Sequence, residues 1–373
     1  MSEVVRVLHV IGIMNRGGAE AMIMNLYRNI DRNKIQFDFV ENTFEKAAFD
    51  DEIKSLGGRI YNCPHYNGKN HFEYKKWWNK FFEEHSGEYR IIHGHIGSTA
   101  SIYLKIAKKY GLYTIAHSHS SGTDHSLNAL LYKMMSHSTR NIADYFFACA
   151  EIAGIDRYGN KVVNGTHFKV LNNAIDTELF AFNEETRCEM REKLGFSENN
   201  IVIGHVGRFL EVKNHCFLID VFNEIIKKNK NYRLLLMGGG PLENEIKDKV
   251  NSLGLSDFVV FAGVCPDVYN YMQAMDIFVF PSVFEGLPVT LVEAQTSGLP
   301  CVISDKVPEE VILTDGLVTS KKLSDSPENW AEHILNIDVS NRQSHKNEII
   351  SNGYDIKTTV KWLEDFYLEK CKK

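Results

Sequence analysis

The sequence predicts an α/β protein made of two doubly wound units, each a parallel sheet flanked by helices. The first observation is length: 373 residues exceed what one compact core usually holds, since domains average about 100–200 residues. The second is order. Short apolar runs alternate with longer amphipathic ones, and the whole alternation occurs twice. The third lies within the runs. Their apolar positions are consecutive rather than alternate, as expected of strands buried on both faces of a parallel sheet.

In the first half, residues 5–11, 37–41, 59–62, 90–93, 113–117 and 145–148 read as strands, rich in Val, Ile, Tyr and Phe. Helical stretches lie between them at 19–29, 72–85, 98–110 and 127–142. In the second of these, Phe72, Lys76, Asn79 and Glu83 share a solvated side, while Trp77, Trp78, Phe81 and Phe82 pack inward. A second series begins near Glu184. Its strands are 201–206, 232–237, 259–261, 277–281 and 300–304, and its helices 185–194, 215–229, 242–253, 268–274 and 288–297. The join falls near 172–183, after a strand-like stretch at 168–171, which divides the chain into units at 1–180 and 181–357. Residues 358–373 form an amphipathic helix with Trp362, Phe366 and Leu368 as apolar positions, and it could pack on either unit.

Composition excludes several classes. Net charge is −6, which argues against a nucleic-acid partner, because phosphate backbones attract basic proteins. Seven cysteines show no CxxC pair and an odd count, so free thiols in a reducing cytoplasm are expected. No cleavable leader is visible, and no apolar segment is long enough to span a membrane. The expected location is cytoplasmic. Peripheral contact with the inner face of the plasma membrane stays open, because the stretch Tyr74-Lys75-Lys76-Trp77-Trp78 could touch headgroups, although an ordinary surface helix explains it equally.

Ligands of open parallel sheets bind beyond the carboxyl ends of the strands, so the loops there carry the chemistry. After the first strand, Gly12 and then Gly17-Gly18-Ala19-Glu20 open a helix, whose exposed amides favour an anion; a plain flexible turn would use the same glycines. After 201–206 come Gly207-Arg208 and Lys213-Asn214-His215. Two cations there suit a diphosphate, Arg208 as a planar fork and Lys213 as a point charge. After 232–237 three glycines, 238–240, lead to Pro241, which suits the first helical position. After 277–281 comes FEGLPVTLVEA. Glu285 falls in the loop near a bound sugar, Glu293 lies deeper in the helix where it could hold ribose hydroxyls, and the amides of Gly286, Leu287 and Val289 face the space between. Dipole stabilisation explains Glu285 as well, but it explains Glu293 poorly.

Histidines add another element. His93 and His95 follow one strand; His117 and His119 end the next, in AHSHS. A zinc site is one reading, but the usual carboxylate or helical i,i+4 partners are absent, so imidazoles facing an acceptor pocket fit better and no metal is expected.

Together these loops resemble the family-4 retaining glycosyltransferases of GT-B architecture, over nearly the whole chain. The residues that carry the resemblance are Glu285 and Glu293, Gly207-Arg208 with Lys213, the GGGPL run at 238–242, Asn173-Ala174-Ile175-Asp176 with Phe180, and Gly17-Gly18-Ala19-Glu20. The AHSHS stretch and residues 149–159 look most like bacterial members that build capsular or exopolysaccharides. The resemblance implies two Rossmann-like domains facing across a cleft, with the last helix crossing back onto the first. It implies that Arg208 and Lys213 bind the donor diphosphate and stabilise the leaving group, Glu285 bonds the donor sugar, and Glu293 the ribose. Gly17, Gly18 and Gly239 would lie beside the donor, and His119, or alternatively His117, would approach its sugar. The implied partners are a nucleotide-sugar, UDP-linked by family frequency, and a glycan or lipid-linked sugar acceptor, with no cofactor. The rivals are a sugar-nucleotide-binding protein without turnover and an epimerase of the same architecture. A dinucleotide oxidoreductase is disfavoured because no GxGxxG follows the first strand.

Overall fold

The computed structural model describes residues 4–15, 17–119 and 136–372. They form two units: Met1–Ala174 with Ile356–Lys373, and Ile175–Asp355. The chain thus leaves the first unit at Ala174, ahead of the expected boundary at residue 180. Local bonding explains the difference. The Ile175 amide donates to the Tyr354 carbonyl at 2.9 Å, the Thr177 hydroxyl donates to Asp355 at 2.8 Å, and Phe180 lies in the core of the second unit.

The amino-terminal unit holds seven strands: β1 (Val5–Ile11), β2 (Ile35–Glu41), β3 (Ile60–Asn62), β4 (Tyr89–Gly94), β5 (Tyr113–Ser118), β6 (Tyr145–Ala148) and β7 (Phe168–Val170). They pair in the order β3-β2-β1-β4-β5-β6-β7, all parallel. Neighbouring strand residues feed opposite faces. Val7 joins the helix Gly18–Asn29 and the last helix, Ile356–Cys371, in one apolar cluster. Leu8 joins His71–Glu84 and Ala100–Lys109 in another. Both faces are therefore covered, which is why the runs read as continuously apolar.

Within His71–Glu84, Tyr74 and Trp78 are fully buried and Phe81 and Phe82 nearly so, while Trp77 is half-buried and stacks on Phe81. Core packing takes Tyr74 and Trp78 out of any lipid contact and leaves Lys75 and Lys76 exposed. Among the described residues no helix is long and apolar enough to cross a membrane.

The carboxyl-terminal unit holds β8 (Ile201–Val206), β9 (Tyr232–Met237), β10 (Val259–Gly263), β11 (Ile277–Phe280), β12 (Cys301–Ser304) and β13 (Val318–Lys321), in the order β10-β9-β8-β11-β12-β13 and again parallel. The strand order reverses at β1/β4 in the first sheet and at β8/β11 in the second, the positions where such sheets open a crevice.

Several elements differ from the sequence reading. Strand β13 was not expected, nor were the helices Asp50–Ser55, Glu151–Tyr158, Pro327–Leu335 and Lys346–Ser351. Most of the helix expected at 127–142 lies outside the described residues, and Ser138–Asn141 is a single 3-10 turn. Pro241 does not open its helix, which runs over Glu243–Ser252 after a turn at Pro241-Leu242.

Candidate functional site

In the carboxyl-terminal unit, three loops meet beyond the strand ends. After β8 the chain passes Gly207-Arg208, makes a 3-10 turn at Glu211–Lys213, and reverses at Asn214, whose φ of 56° is left-handed. Asn tolerates that conformation better than most residues. The Asn214 side-chain amide donates to the Pro281 carbonyl at 3.1 Å, and the Val283 amide donates to Val212 at 2.8 Å. These two bonds tie the loop after β8 to the loop after β11. As a result Lys213 Nζ lies 2.7 Å from Glu285 Oε1 and 4.8 Å from the Phe280 ring centre.

The glycines after β9 serve the same assembly. Gly238 has φ of 132°, and a Cβ there would fall 2.1 Å from the Gly207 carbonyl oxygen. A Cβ on Gly240 would fall 2.5 Å from that of Phe209. Backbone thus runs against backbone, sealed by the Phe209 amide donating to Gly239 O at 3.1 Å. Only glycine permits so close an approach.

Arg208 is exposed and carries no ion pair among the described residues. Past Glu285, Gly286 is exposed, Leu287 and Val289 are half-buried, and the helix Val289–Thr296 begins after Pro288. Glu293 sits in its second turn between residues that are fully buried. Burial pushes its carboxyl up to about 7, with no cation beside it. The structure therefore joins Lys213 to Glu285 directly, borders them with the glycine loop, and sets Glu293 apart on the next helix.

The sequence reading passed over His205 and gave His215 no role of its own. His205 on β8 and His215 at the start of the helix His215–Lys228 stack edge to face at 4.6 Å. His205 Nδ1 donates to the Val279 carbonyl at 2.8 Å, so its Nε2, which faces the Cβ direction of Gly207, bears the lone pair. Burial holds both rings well below the ordinary histidine value, to about 4 and about 2. The only signal was a polar residue inside an otherwise apolar strand. A cavity of about 510 Å³ also exists in this unit, but around Asp276, Cys301 and Arg342, at the amino ends of β11 and β12, away from these loops.

In the amino-terminal unit, Gly17 caps the helix Gly18–Asn29, and a Cβ on it would strike the Glu20 carboxylate, 2.2 Å away. His117 is buried at the end of β5 and His119 half-buried just beyond. They belong to a larger group than the sequence suggested. His9 on β1 is the register partner of His93 on β4, and residues two apart share a sheet face, so His9, His93, His95, His117 and His119 converge. Rings meet at His9 Nδ1–His95 Nε2 (3.0 Å), His95 Nδ1–His119 Nε2 (2.8 Å) and His93 Nε2–His117 Nδ1 (3.2 Å). His93 Nδ1 meets the Tyr367 hydroxyl at 2.6 Å. A separate cavity of about 630 Å³ opens beyond β1 to β4, lined by Asn42, Thr43, Phe44, His65 and Tyr66 among others. Phe44 is 74% exposed, and the buried Asn42 Oδ1 has no partner.

These groups fix a pH response. Glu293 keeps its proton longer in the folded state, so it contributes stability below its ordinary value of 4.5 that is lost as pH rises through about 7. Relative to the wild type, Glu293→Gln is expected to gain melting temperature between about pH 5 and about pH 8 and to level off above. Equal pH profiles for variant and wild type would contradict the burial of that carboxyl. The five histidines act in the opposite sense. Burial lowers all of them, His9 to about 3 and His119 to about 4, so their contribution is whole above 6.5 and is lost as pH falls.

Comparison with known proteins bears on the same loops. The profile of the family described as "Glycosyl transferases group 1" matches residues 186–355, nearly all of the carboxyl-terminal unit. EpsF of Bacillus subtilis (strain 168), whose name assigns it provisionally to the glycosyltransferases, is 36% identical over 97% of this chain and 96% of its own. The capsular polysaccharide biosynthesis glycosyltransferase CapH of Staphylococcus aureus is 25% identical over 98% and 99%. Among solved structures, HepE of Anabaena in complex with UDP superposes with a TM-score of 0.78 at 17% identity, covering 98% of this chain and 100% of that one.

Proposed function

The chain belongs to the group 1 glycosyl transferases, a glycosyltransferase of GT-B architecture, and from that premise we propose that it moves a sugar from UDP to a glycan or lipid-linked acceptor in polysaccharide assembly, with retention at the anomeric carbon. The observation that carries this reading is the Lys213–Glu285 pair, 2.7 Å apart beside the glycine loop. A cation for the leaving diphosphate and a carboxylate for sugar hydroxyls stand side by side, as cleavage of a sugar–phosphate bond requires. The UDP bound in HepE and the capsular role in the name of CapH support the donor and the pathway class.

Departure of the diphosphate builds negative charge on its oxygens. Arg208, Lys213 and the amides of Gly286, Leu287 and Val289 meet that charge without a metal. Glu293, held near neutrality by burial, bonds the ribose. In a front-face displacement the acceptor hydroxyl attacks the anomeric carbon as the bond to phosphate breaks, and its proton passes to the departing phosphate. Trapping a covalent glycosyl-enzyme would count against this route. The cavity beyond β1 to β4 suits the acceptor, with Phe44 and Tyr66 as stacking faces and Asn42 Oδ1 as a free hydrogen-bond acceptor. The family resemblance assigns Gly17, Gly18, His117 and His119 to the donor, as it does Gly239.

The test is thermal melting with UDP, followed by transfer from UDP-sugars in the presence of a chelator. UDP at a hundred times its dissociation constant is expected to add about 2.7 kcal/mol of stability. That gain should vanish in Glu293→Ala. Melting indifferent to UDP, or no transfer from any UDP-sugar, would overturn the reading.

A further inference from the structure

Of five imidazoles on one sheet face, the proposed transfer uses only His117 and His119, and His9, His93 and His95 need a separate account. A neutral imidazole offers one N–H and one lone pair, so rings can bond only in file. Here the files are short. His119, His95 and His9 form one; His117, His93 and Tyr367 form the other. Both leave ring nitrogens buried with no partner: His9 Nε2, His117 Nε2 and His119 Nδ1. His9 is 1% and His117 3% exposed, so water does not reach them freely. Orphaned buried polar atoms are costly; that of His9 falls in one convergent set of histidines, and those of His117 and His119 fall in another.

The geometry points to one borderline divalent transition-metal ion, of the Zn²⁺ class, held by the histidine cluster with His95 as a ligand. His9, His93 and His95 each bring a ring nitrogen within 4.8 Å of the others, and so do His95, His117 and His119. His95 is common to both sets, and being half-buried it gives the ion a way in. An all-imidazole set without thiolate or carboxylate suits Zn²⁺ or Ni²⁺ and not Mg²⁺ or Ca²⁺, which take oxygen. Three protein nitrogens leave a fourth position open. The Tyr367 hydroxyl on His93 Nδ1 is the kind of outer partner that orients a metal-binding ring. A cavity of about 70 Å³ lined by His95, His117 and His119 adjoins the cluster. The sequence reading set zinc aside for want of carboxylate or helical i,i+4 partners; the two-residue period of adjacent strands supplies an all-imidazole convergence instead.

The test uses tag-free full-length protein stripped with a chelator and titrated with ZnCl₂ by calorimetry, with MgCl₂ as control. One Zn²⁺ per chain, a raised melting temperature and no Mg²⁺ response are expected. His95→Gln should abolish binding while its circular dichroism stays that of the wild type. Loss in His9→Gln alone or in His117→Gln alone supports the site and tells which set holds the ion. Should His95→Gln fail to fold, X-ray absorption of the Zn²⁺-loaded wild type decides, with imidazole nitrogens at about 2.0–2.1 Å expected. Absent stoichiometric binding, sulfur in the zinc shell, or binding retained by folded His95→Gln overturns the proposal. None of these readouts depends on transfer, so the proposed function stands or falls separately.

Discussion

Lys213→Ala is expected to lower kcat by about 10²–10³-fold while the protein stays folded. The ammonium is half-buried at the rim of β8 and β11, where water screens it less than at an open surface. In the proposed mechanism it neutralises charge that grows as the sugar–phosphate bond breaks, so its loss should fall on kcat more than on UDP affinity. The fold does not depend on it. Its one ion-pair partner among the described residues is Glu285, itself only partly buried, and such pairs contribute about 0–1 kcal/mol. Glu285→Gln is the companion. It keeps the amide-sized side chain and should keep UDP binding yet lose transfer, because a carboxylate accepts hydrogen bonds that an amide cannot. Steady-state kinetics with UDP melting as control measures both, and full turnover in either variant would remove that residue from the chemistry.

Asp276→Ala is expected to cost about 3–5 kcal/mol of stability. Asp276 precedes β11 and is 6% exposed. It accepts from Arg187 Nη2 at 2.5 Å, from Arg191 Nη1 at 3.0 Å and from the Val202 amide at 2.7 Å. Deleting it leaves the buried Arg191 and the half-buried Arg187 with carbonyl acceptors but no counter-charge, and takes the acceptor from the Val202 amide; an uncompensated buried charge costs far more than the pair itself contributes. Denaturant unfolding reads this directly. A loss under about 1 kcal/mol, the range of a surface pair, would mean that water reaches the cluster.

The sheet strands and the loop motifs after β8, β9 and β11 were legible because their signals are local. Consecutive apolar residues between helices mark a strand buried on both faces, and Gly207-Arg208, 238–240 and FEGLP each follow one. What escaped depends on tertiary partners. Strand β13, Val318-Thr319-Ser320-Lys321, edges its sheet with half-exposed residues and shows no apolar run. The helix Pro327–Leu335 did have a local mark, Ser326 capping the Asn329 amide ahead of Pro327, which was passed over. His9 sits inside VLHVI with no local mark, and only the β1–β4 register reveals its company. The Lys213–Glu285 contact, between residues 72 apart in the chain, follows from the Asn214–Pro281 bond and from nothing in either motif alone.

The return of Ile356–Cys371 to the first unit imposes a timetable on synthesis. When residues 1–174 leave the ribosome, Phe37, Tyr145 and Phe147 still lack the aromatic rings of Phe366 and Tyr367 that will cover them. The nascent amino-terminal half waits, adhesive and unfinished, while the later half, contiguous in the chain, can close first. A chain ending just before Ile356 would keep the loops after β8, β9 and β11 and still lack the helix that covers this face.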